Sequence, residues 1–353
     1  MTVDWSVIAL VVLGVLVGLL LGIVLSQRRM LQAAAAAGPE ESPDERPRAA
    51  VVVNPTKVAP GTRAEITMAC IDLGWREPLW LETTVDDPGT GQAEEALRRD
   101  VDVVLACGGD GNVRTVAEVL AGTGVPMALI PAGTGNLLAR TIGTPLDGIF
   151  SATRVALSGE ERKIDVGRVR VDGEEHERVF LVMAGTGFDA TIMQSTPEAL
   201  KGRVGPLAYV ISGLRTLRGR RTYVTLTIDD EEPVQRRTRT VVVGNSGTLL
   251  GGLVLMPEAH IDDGHLDVVN LAPKGIPGWI AVAGRVITRQ RHGHARVEHW
   301  QVRSIVIRAE SPQPSQLDGD PIGDATELAI RVDPAALVMR VPVPPPSGTP
   351  DPG

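Results

Sequence analysis

The chain has 353 residues, 43% hydrophobic and 22% charged, a balance that excludes a disordered chain and leaves room for two domains. Lys+Arg number 35 against 43 Asp+Glu, a formal charge of -8, and aromatics make up 3%, which argues against a nucleic-acid-coating surface or a base-stacking platform. Only two cysteines, Cys70 and Cys107, exclude a disulfide scaffold and a Cys-rich zinc module.

Val7 to Leu25 carries no charge and is long enough to cross a bilayer as a helix, so residues 1–26 are predicted to be a transmembrane anchor. Asp4 precedes the run and Arg28 and Arg29 come after it. The positive-inside rule then places the N-terminus outside and everything after Arg28 in the cytoplasm. A secretory signal would carry its positive charge first, although the small residues Ala33 to Ala37 keep a cleaved signal as the alternative. Gly14, Gly18 and Gly22 fall on one helix face, which either allows close pairing in a homodimer or reflects the usual glycine content of such spans. Residues 27–48 are Ala-rich, then Pro-rich and charged, and read as a linker spanning on the order of 25 Å as a flexible coil. A linker of that reach keeps the rest of the chain close to the bilayer.

Over residues 49–160, short apolar runs alternate with helical patterns. Strands are expected at Ala49–Val53, Leu79–Val85, Val101–Ala106 and Val125–Ile130, with helices at Gly61–Leu73, Gly91–Arg99 and Val113–Ala121. That rhythm means βαβ units and a parallel sheet. Over residues 161–341 the pattern changes to strands at Arg168–Val171, Val179–Met183, Tyr223–Ile228, Thr238–Val243, Leu266–Leu271, Val302–Arg308 and Leu328–Val332. Turns fall at Asp172-Gly173, Asp263-Gly264 and Asp318-Gly319, and helical insertions near Leu207–Arg218 and Trp279–Arg289. This half reads as a mostly antiparallel β-sandwich. The Pro-rich residues 342–353 read as a disordered tail.

Two strands of the first half run into glycine loops: Gly108-Gly109-Asp110-Gly111-Asn112 and Ala132-Gly133-Thr134-Gly135-Asn136. Glycines where a strand turns into a helix let backbone N–H groups face a phosphate, and a helix N-terminus favours its charge. Two such loops at the carboxyl ends of strands in one parallel sheet would form a crevice of the kind that binds nucleotides. Asp110 does not attract phosphate, so its expected use is to hold a metal ion or a metal-bound water. Neither loop has the Gly-Lys-Ser/Thr of a P-loop or the spacing of a dinucleotide fingerprint.

GGDGN at 108–112, PAGTGN at 131–136 and Asn54-Pro55 after the first strand resemble the diacylglycerol kinase catalytic domain, shared with sphingosine and ceramide kinases. GTGFDA at 185–190, PEAHIDDGHLDVV at 257–269 and QLDGD at 316–320 resemble later landmarks of that family, so the resemblance covers about residues 49–340. It implies an NAD kinase-like α/β nucleotide-binding domain, a lipid-substrate β-sandwich domain, ATP and Mg²⁺, and phosphorylation of a lipid hydroxyl.

Carried over residue by residue, the resemblance implies nucleotide contacts from Asn54, Pro55, Thr84, Gly108, Gly109, Asp110, Gly111, Asn112, Val113 and Thr134, with Thr83 as the alternative to Thr84. Lys57 reads either as a phosphate contact or as a solvated loop charge. Asp320 falls at the general base, and Asp110 in the catalytic loop. Asp165 and Asp189 are implied between the domains, towards the substrate. A structural magnesium is implied on the Asp263 side chain with the carbonyls of His260 and His265; hard oxygens suit Mg²⁺, and no soft cluster accompanies the two histidines.

Three residues depart from the family pattern. Asp320 stands where many relatives have Glu, Asn112 where Thr is common, and Leu137 where several have Asp. Basic residues Lys201, Arg203, Arg215, Arg218, Arg220 and Arg221 surround an apolar helical pattern, which reads as a face for anionic lipid or as a helix packed on the sandwich. His292 and His294 read as surface residues. The leading expectation is a membrane-anchored kinase making phosphatidic acid from diacylglycerol. An NAD kinase-like enzyme with a soluble acceptor and a catalytically weak lipid- or nucleotide-binding regulator are the rivals.

Overall fold

A computed structural model describes residues 46–187, 221–247, 255–273 and 297–343. The anchor, most of the linker, both helical insertions, Asp189, the basic stretch before Arg221, His292, His294 and the tail after residue 343 lie outside the described residues. Among the described residues no helix is long and apolar enough to cross a membrane.

The first half has the βαβ rhythm. Strands β1 (Ala49–Val53), β2 (Leu79–Glu82), β3 (Val103–Gly108) and β4 (Met127–Pro131) pair in parallel in the order β2-β1-β3-β4. Every residue of β1 is buried because both faces of the sheet are covered, as parallel crossovers require. Val51, Leu105 and Ile130 pack on one face with Ile66 of α1 (Thr62–Asp72) and Ala152 and Ala156 of α5 (Ile149–Ser158). Val52, Val104 and Leu129 pack on the other with Ala93 of α2 (Thr90–Arg98), Val116 and Leu120 of α3 (Asp110–Leu120) and Leu138 of α4 (Leu137–Ile142). Burying a side chain the size of Leu105 or Ile130 contributes about 1.5–3 kcal/mol.

Helix α3 begins three residues before the expected Val113, since Asp110, Gly111 and Asn112 are already wound into its first turn. Helices α4 and α5 have no counterpart among the expected elements. Both begin after a left-handed or otherwise special residue, Asn136 at φ 48° and Gly148 at φ 97°.

The second half is antiparallel: β5 (Glu160–Val171), β6 (Arg178–Phe180), β7 (Met183–Thr186), β8 (Thr222–Ile228), β9 (Val234–Thr238), β10 (Thr240–Gly244), β11 (Leu266–Leu271), β12 (Val297–Val302), β13 (Ser304–Leu317) and β14 (Asp320–Val341). Phe180, Leu226, Val243, Val268, Ile305 and Ile330 form its core. Phe180 covers Gly167 on the neighbouring strand, where an added Cβ would lie 2.1 Å from the ring.

The two halves share one sheet. Strand β14 pairs antiparallel with β13 and β5, and at Met339↔Met127 it joins β4 in parallel. One apolar cluster runs from Leu120 and Leu138 through Ile164, Leu181 and Val269 to Leu337 and Met339. From Pro47 onward the chain is therefore a single unit, with strands rather than a linker crossing near residue 160.

Candidate active site

Glycine loop one comes directly after β3 and glycine loop two directly after β4, side by side at the carboxyl ends of paired strands. They touch backbone to backbone: a Cβ on Gly133 would lie 2.6 Å from the Gly109 Cα. Asn136 closes the second loop on itself, its Oδ1 accepting the Gly133 N–H at 3.0 Å and its Nδ2 donating to the Gly133 carbonyl at 2.8 Å.

Asp110 ties the loops together. Its Oδ2 accepts the Asn136 N–H at 2.9 Å and its Oδ1 the Leu137 N–H at 2.6 Å, so it caps α4 from the neighbouring loop. Burial pushes its carboxyl above the ordinary range, the charge of Asp320 adds to that, and the two N–H bonds oppose it. The geometry thus gives Asp110 a positioning job between the two loops. Leu137, buried at 4% exposure, contributes its backbone N–H to that bond and its side chain to the core.

The other residues expected to contact a nucleotide lie in or beside these loops and in the turns after β1 and β2. Gly108 has no room for a side chain, because an added Cβ would lie 2.6 Å from the Asn112 Oδ1. Asn112 is buried and donates to the Pro88 carbonyl at 3.0 Å, which fixes the loop after β2. In that loop Thr84 is exposed, its hydroxyl accepting the Asp87 N–H at 3.0 Å, whereas Thr83 is buried. Asn54 closes a turn by accepting the Thr56 N–H at 3.0 Å, and Pro55 and Lys57 are exposed beyond it. Thr134 is exposed at the tip of the second loop, while Val113 is buried in α3. Burial raises the Cys107 thiol, just before the first loop, to about 12, which leaves no thiolate there.

The sandwich half delivers the acid. Strands β13 and β14 join through Asp318-Gly319, both with positive φ (49° and 89°), the tight hairpin that this dipeptide favours. The Asp318 carboxylate is buried and accepts three consecutive N–H groups, Leu181 at 2.8 Å, Val182 at 2.8 Å and Met183 at 2.9 Å. Those bonds interrupt the single strand expected at Val179–Met183 and leave β6 and β7. Burial raises Asp318 to about 6, against the pull of these bonds and of Arg114.

The hairpin sets Asp320 on the first glycine loop, where a Cβ on Gly111 would lie 2.9 Å from its Oδ2. Asp320 is 46% exposed and Arg114, one turn into α3, reaches its Oδ2 at 3.2 Å. Arg114 and Asp318 were not singled out from the sequence. An arginine inside a helix reads as a solvated charge, and only the Asp-Gly pair hinted at the hairpin.

Asp165 is 2% exposed, with Oδ2 accepting the Gly264 N–H at 2.6 Å and Oδ1 the Ala335 N–H at 2.7 Å. It therefore braces the loop that carries Asp263, with each of its oxygens accepting a backbone N–H. In that loop Asp263 accepts the His265 N–H at 2.9 Å and the Gln301 amide at 3.1 Å, and the His265 Nδ1 lies 2.9 Å from the Asp263 carbonyl. His260 is exposed. No three His, Cys, Asp or Glu side chains gather as a metal cluster among the described residues. The donors this loop offers a cation are carboxylate and carbonyl oxygens, the kind a hard ion takes.

An α/β layer with two abutting glycine loops, joined through a shared sheet to a sandwich that hands it a carboxylate, is the architecture of a nucleotide-dependent phosphotransferase. The family model for the diacylglycerol kinase catalytic domain matches residues 48–169, and that for the YegS C-terminal NAD kinase beta sandwich-like domain matches residues 181–341. A diacylglycerol kinase of Staphylococcus haemolyticus is 29% identical over 67% of this chain and 71% of its own length. That of Staphylococcus saprophyticus is 27% identical over 78% and 89%. A crystal structure of a diacylglycerol kinase from Bacillus anthracis shares the fold, with a TM-score of 0.60 at 22% identity, covering 86% of this chain and 99% of that one. The chain belongs to the diacylglycerol kinase catalytic-domain family, and with it to the ATP-dependent lipid kinases.

Proposed function

We propose that the protein is a membrane-anchored lipid kinase that transfers the γ-phosphate of ATP to the free hydroxyl of diacylglycerol, giving phosphatidic acid. The observation that carries this reading is the Asp320 carboxylate, half-exposed and resting on the backbone of Gly111. In the reaction the glycine loops orient the phosphates through backbone N–H groups, with Asn54, Thr84 and Thr134 at the rim. Asp320 accepts the proton of the lipid hydroxyl as the new O–P bond forms and the bond to ADP breaks. Asp110 and Asp318 act one step back, each holding a loop in place through backbone N–H groups.

A structural Mg²⁺ would be held by the Asp263 side chain and the carbonyls of His260 and His265, where it would brace the loop that carries them. The apolar run Val7–Leu25 supports an anchor with the catalytic domains on the cytoplasmic side, and its glycines support pairing of two copies.

The test is an acceptor screen with the full chain and γ-labelled ATP, offering diacylglycerol, ceramide and sphingosine in mixed micelles and NAD in solution. Label entering phosphatidic acid and depending on Mg²⁺ is the expected result. Label entering NAD, and no lipid, overturns the proposal.

A further inference from the structure

Asp110 lies in the first glycine loop and Asp320 stands over it, where a highly charged triphosphate has to bind, with Asp318 two residues before Asp320. Neither loop contains a cation: residues 108–112 and 132–136 hold glycines, Asp110, two asparagines, one threonine and one alanine. Arg114 is ion-paired to this carboxylate group, its Nη2 at 3.2 Å from the Asp320 Oδ2. Its charge also reaches Asp318, which it draws downward against burial.

The two partners are unequal. Arg114 is 18% exposed and rooted in α3, whose neighbouring residues Val113, Val116 and Ala117 are buried. Asp320 is 46% exposed and starts β14 directly after a two-residue turn. The guanidinium is thus the fixed member and the carboxylate the presented one. Asp320 also lies against the bare backbone of Gly111, which presents no side chain of its own to hold it. The shorter side chain of Asp needs a defined direction to meet an acceptor hydroxyl, because a displacement of about 1 Å costs turnover on the order of a hundredfold.

Resting on the reading of Asp320 as the base, we propose that Arg114 is a positioning residue of phosphoryl transfer, which pins the Asp320 carboxylate over the first glycine loop. The pair spans the α/β half and the sandwich half, so it also sets the register between the nucleotide loops and the hairpin that carries the base. The pair is only partly buried, Asp320 being its more exposed member, so the melting temperatures of the variants separate positioning from a structural role.

The experiment compares the full-length wild type with Arg114→Met, Arg114→Lys, Asp320→Asn and the Arg114→Met/Asp320→Asn double variant. It reads kcat, the KM for ATP and the melting temperature of each. In Arg114→Met, kcat is expected to fall by about tenfold to a hundredfold with the KM for ATP within about twofold and the melting temperature unchanged. Arg114→Lys recovers part of the rate. In the Asp320→Asn background, the Met substitution costs less than about twofold more, because a residue acting through Asp320 has nothing left to position. Wild-type turnover in Arg114→Met, or losses that multiply in the double variant, overturns the role of Arg114 while leaving the base in place. Wild-type turnover in Asp320→Asn alone overturns the base reading and this one with it.

Discussion

The Asp110 Oδ1 accepts the Leu137 N–H at 2.6 Å, a bond that runs from one glycine loop to the first residue of the helix after the other. With the Asn136 N–H on Oδ2, the carboxylate satisfies two of the free donors at the start of α4. The favourable anion position at that helix end is thus filled by a carboxylate of the protein itself.

Asp110→Asn is expected to break this link. An asparagine turns its NH₂ towards one of the two N–H groups and leaves it unpaired, at a cost of about 1–3 kcal/mol. Urea unfolding is expected to show that loss, and phosphate transfer to fall with it. A variant as stable as the wild type contradicts the bridge.

Gly133→Ala and Gly109→Ala separate the two sides of the loop contact. A Cβ on Gly133 would meet the Gly109 backbone at 2.6 Å, whereas one on Gly109 would meet Gly133 at an ordinary 3.5 Å. The first substitution is expected to destabilise by about 1–3 kcal/mol and to weaken ATP binding. The second costs below about 1 kcal/mol. Equal melting temperatures for the two variants contradict the abutting loops.

Gly111→Ala reaches the base without touching the loop contact. Its Cβ falls 2.9 Å from the Asp320 Oδ2, the far end of a side chain that can turn away. Folding and ATP affinity are expected to stay near wild type while kcat falls about tenfold or more. A kcat equal to wild type contradicts the placement of Asp320.

Asp318 carries a pH signature. Burial raises its carboxyl from an ordinary 3.8 to about 6, so the folded chain binds this proton more tightly than the unfolded one. Its contribution is therefore greatest below about pH 4 and is lost as pH rises through 6, on the order of 3 kcal/mol in all. Urea unfolding of the wild type and Asp318→Asn between pH 4 and 7 is expected to show the wild type losing ground to the variant up to pH 6 and running parallel above. Parallel curves throughout, or the opposite slope, contradict the raised value.

How much of this was legible in the sequence depends on how local its cause is. Strand β1 falls on its expected residues because its continuous Ala and Val run reports burial on both faces directly, and β11 does so although Asp267 and Asn270 interrupt its Leu and Val. The glycine loops were equally plain, since a strand ending in Gly-Gly-Asp-Gly carries its geometry with it. The 22-residue β14 was read only at Leu328–Val332, because Pro321, Gly323 and Pro334 look like stops. Its bends are tolerated because β5, β13 and β4 pair with different stretches of it. The pairing of Arg114 with Asp320 lies 206 residues apart and leaves no local trace. Asp318 was visible as a turn residue but not as a buried one, as its burial comes from the Leu181–Met183 backbone folding over it.

The most direct test of the central claim is single-turnover transfer from γ-labelled ATP to diacylglycerol by the full-length protein and its Asp320→Asn variant, with ATP binding measured on the same samples. The expected result is labelled phosphatidic acid from the wild type, ATP bound equally by both, and transfer by the variant reduced by about a hundredfold or more. Equal transfer by the two proteins, or no transfer to lipid by the wild type with ATP bound, contradicts it.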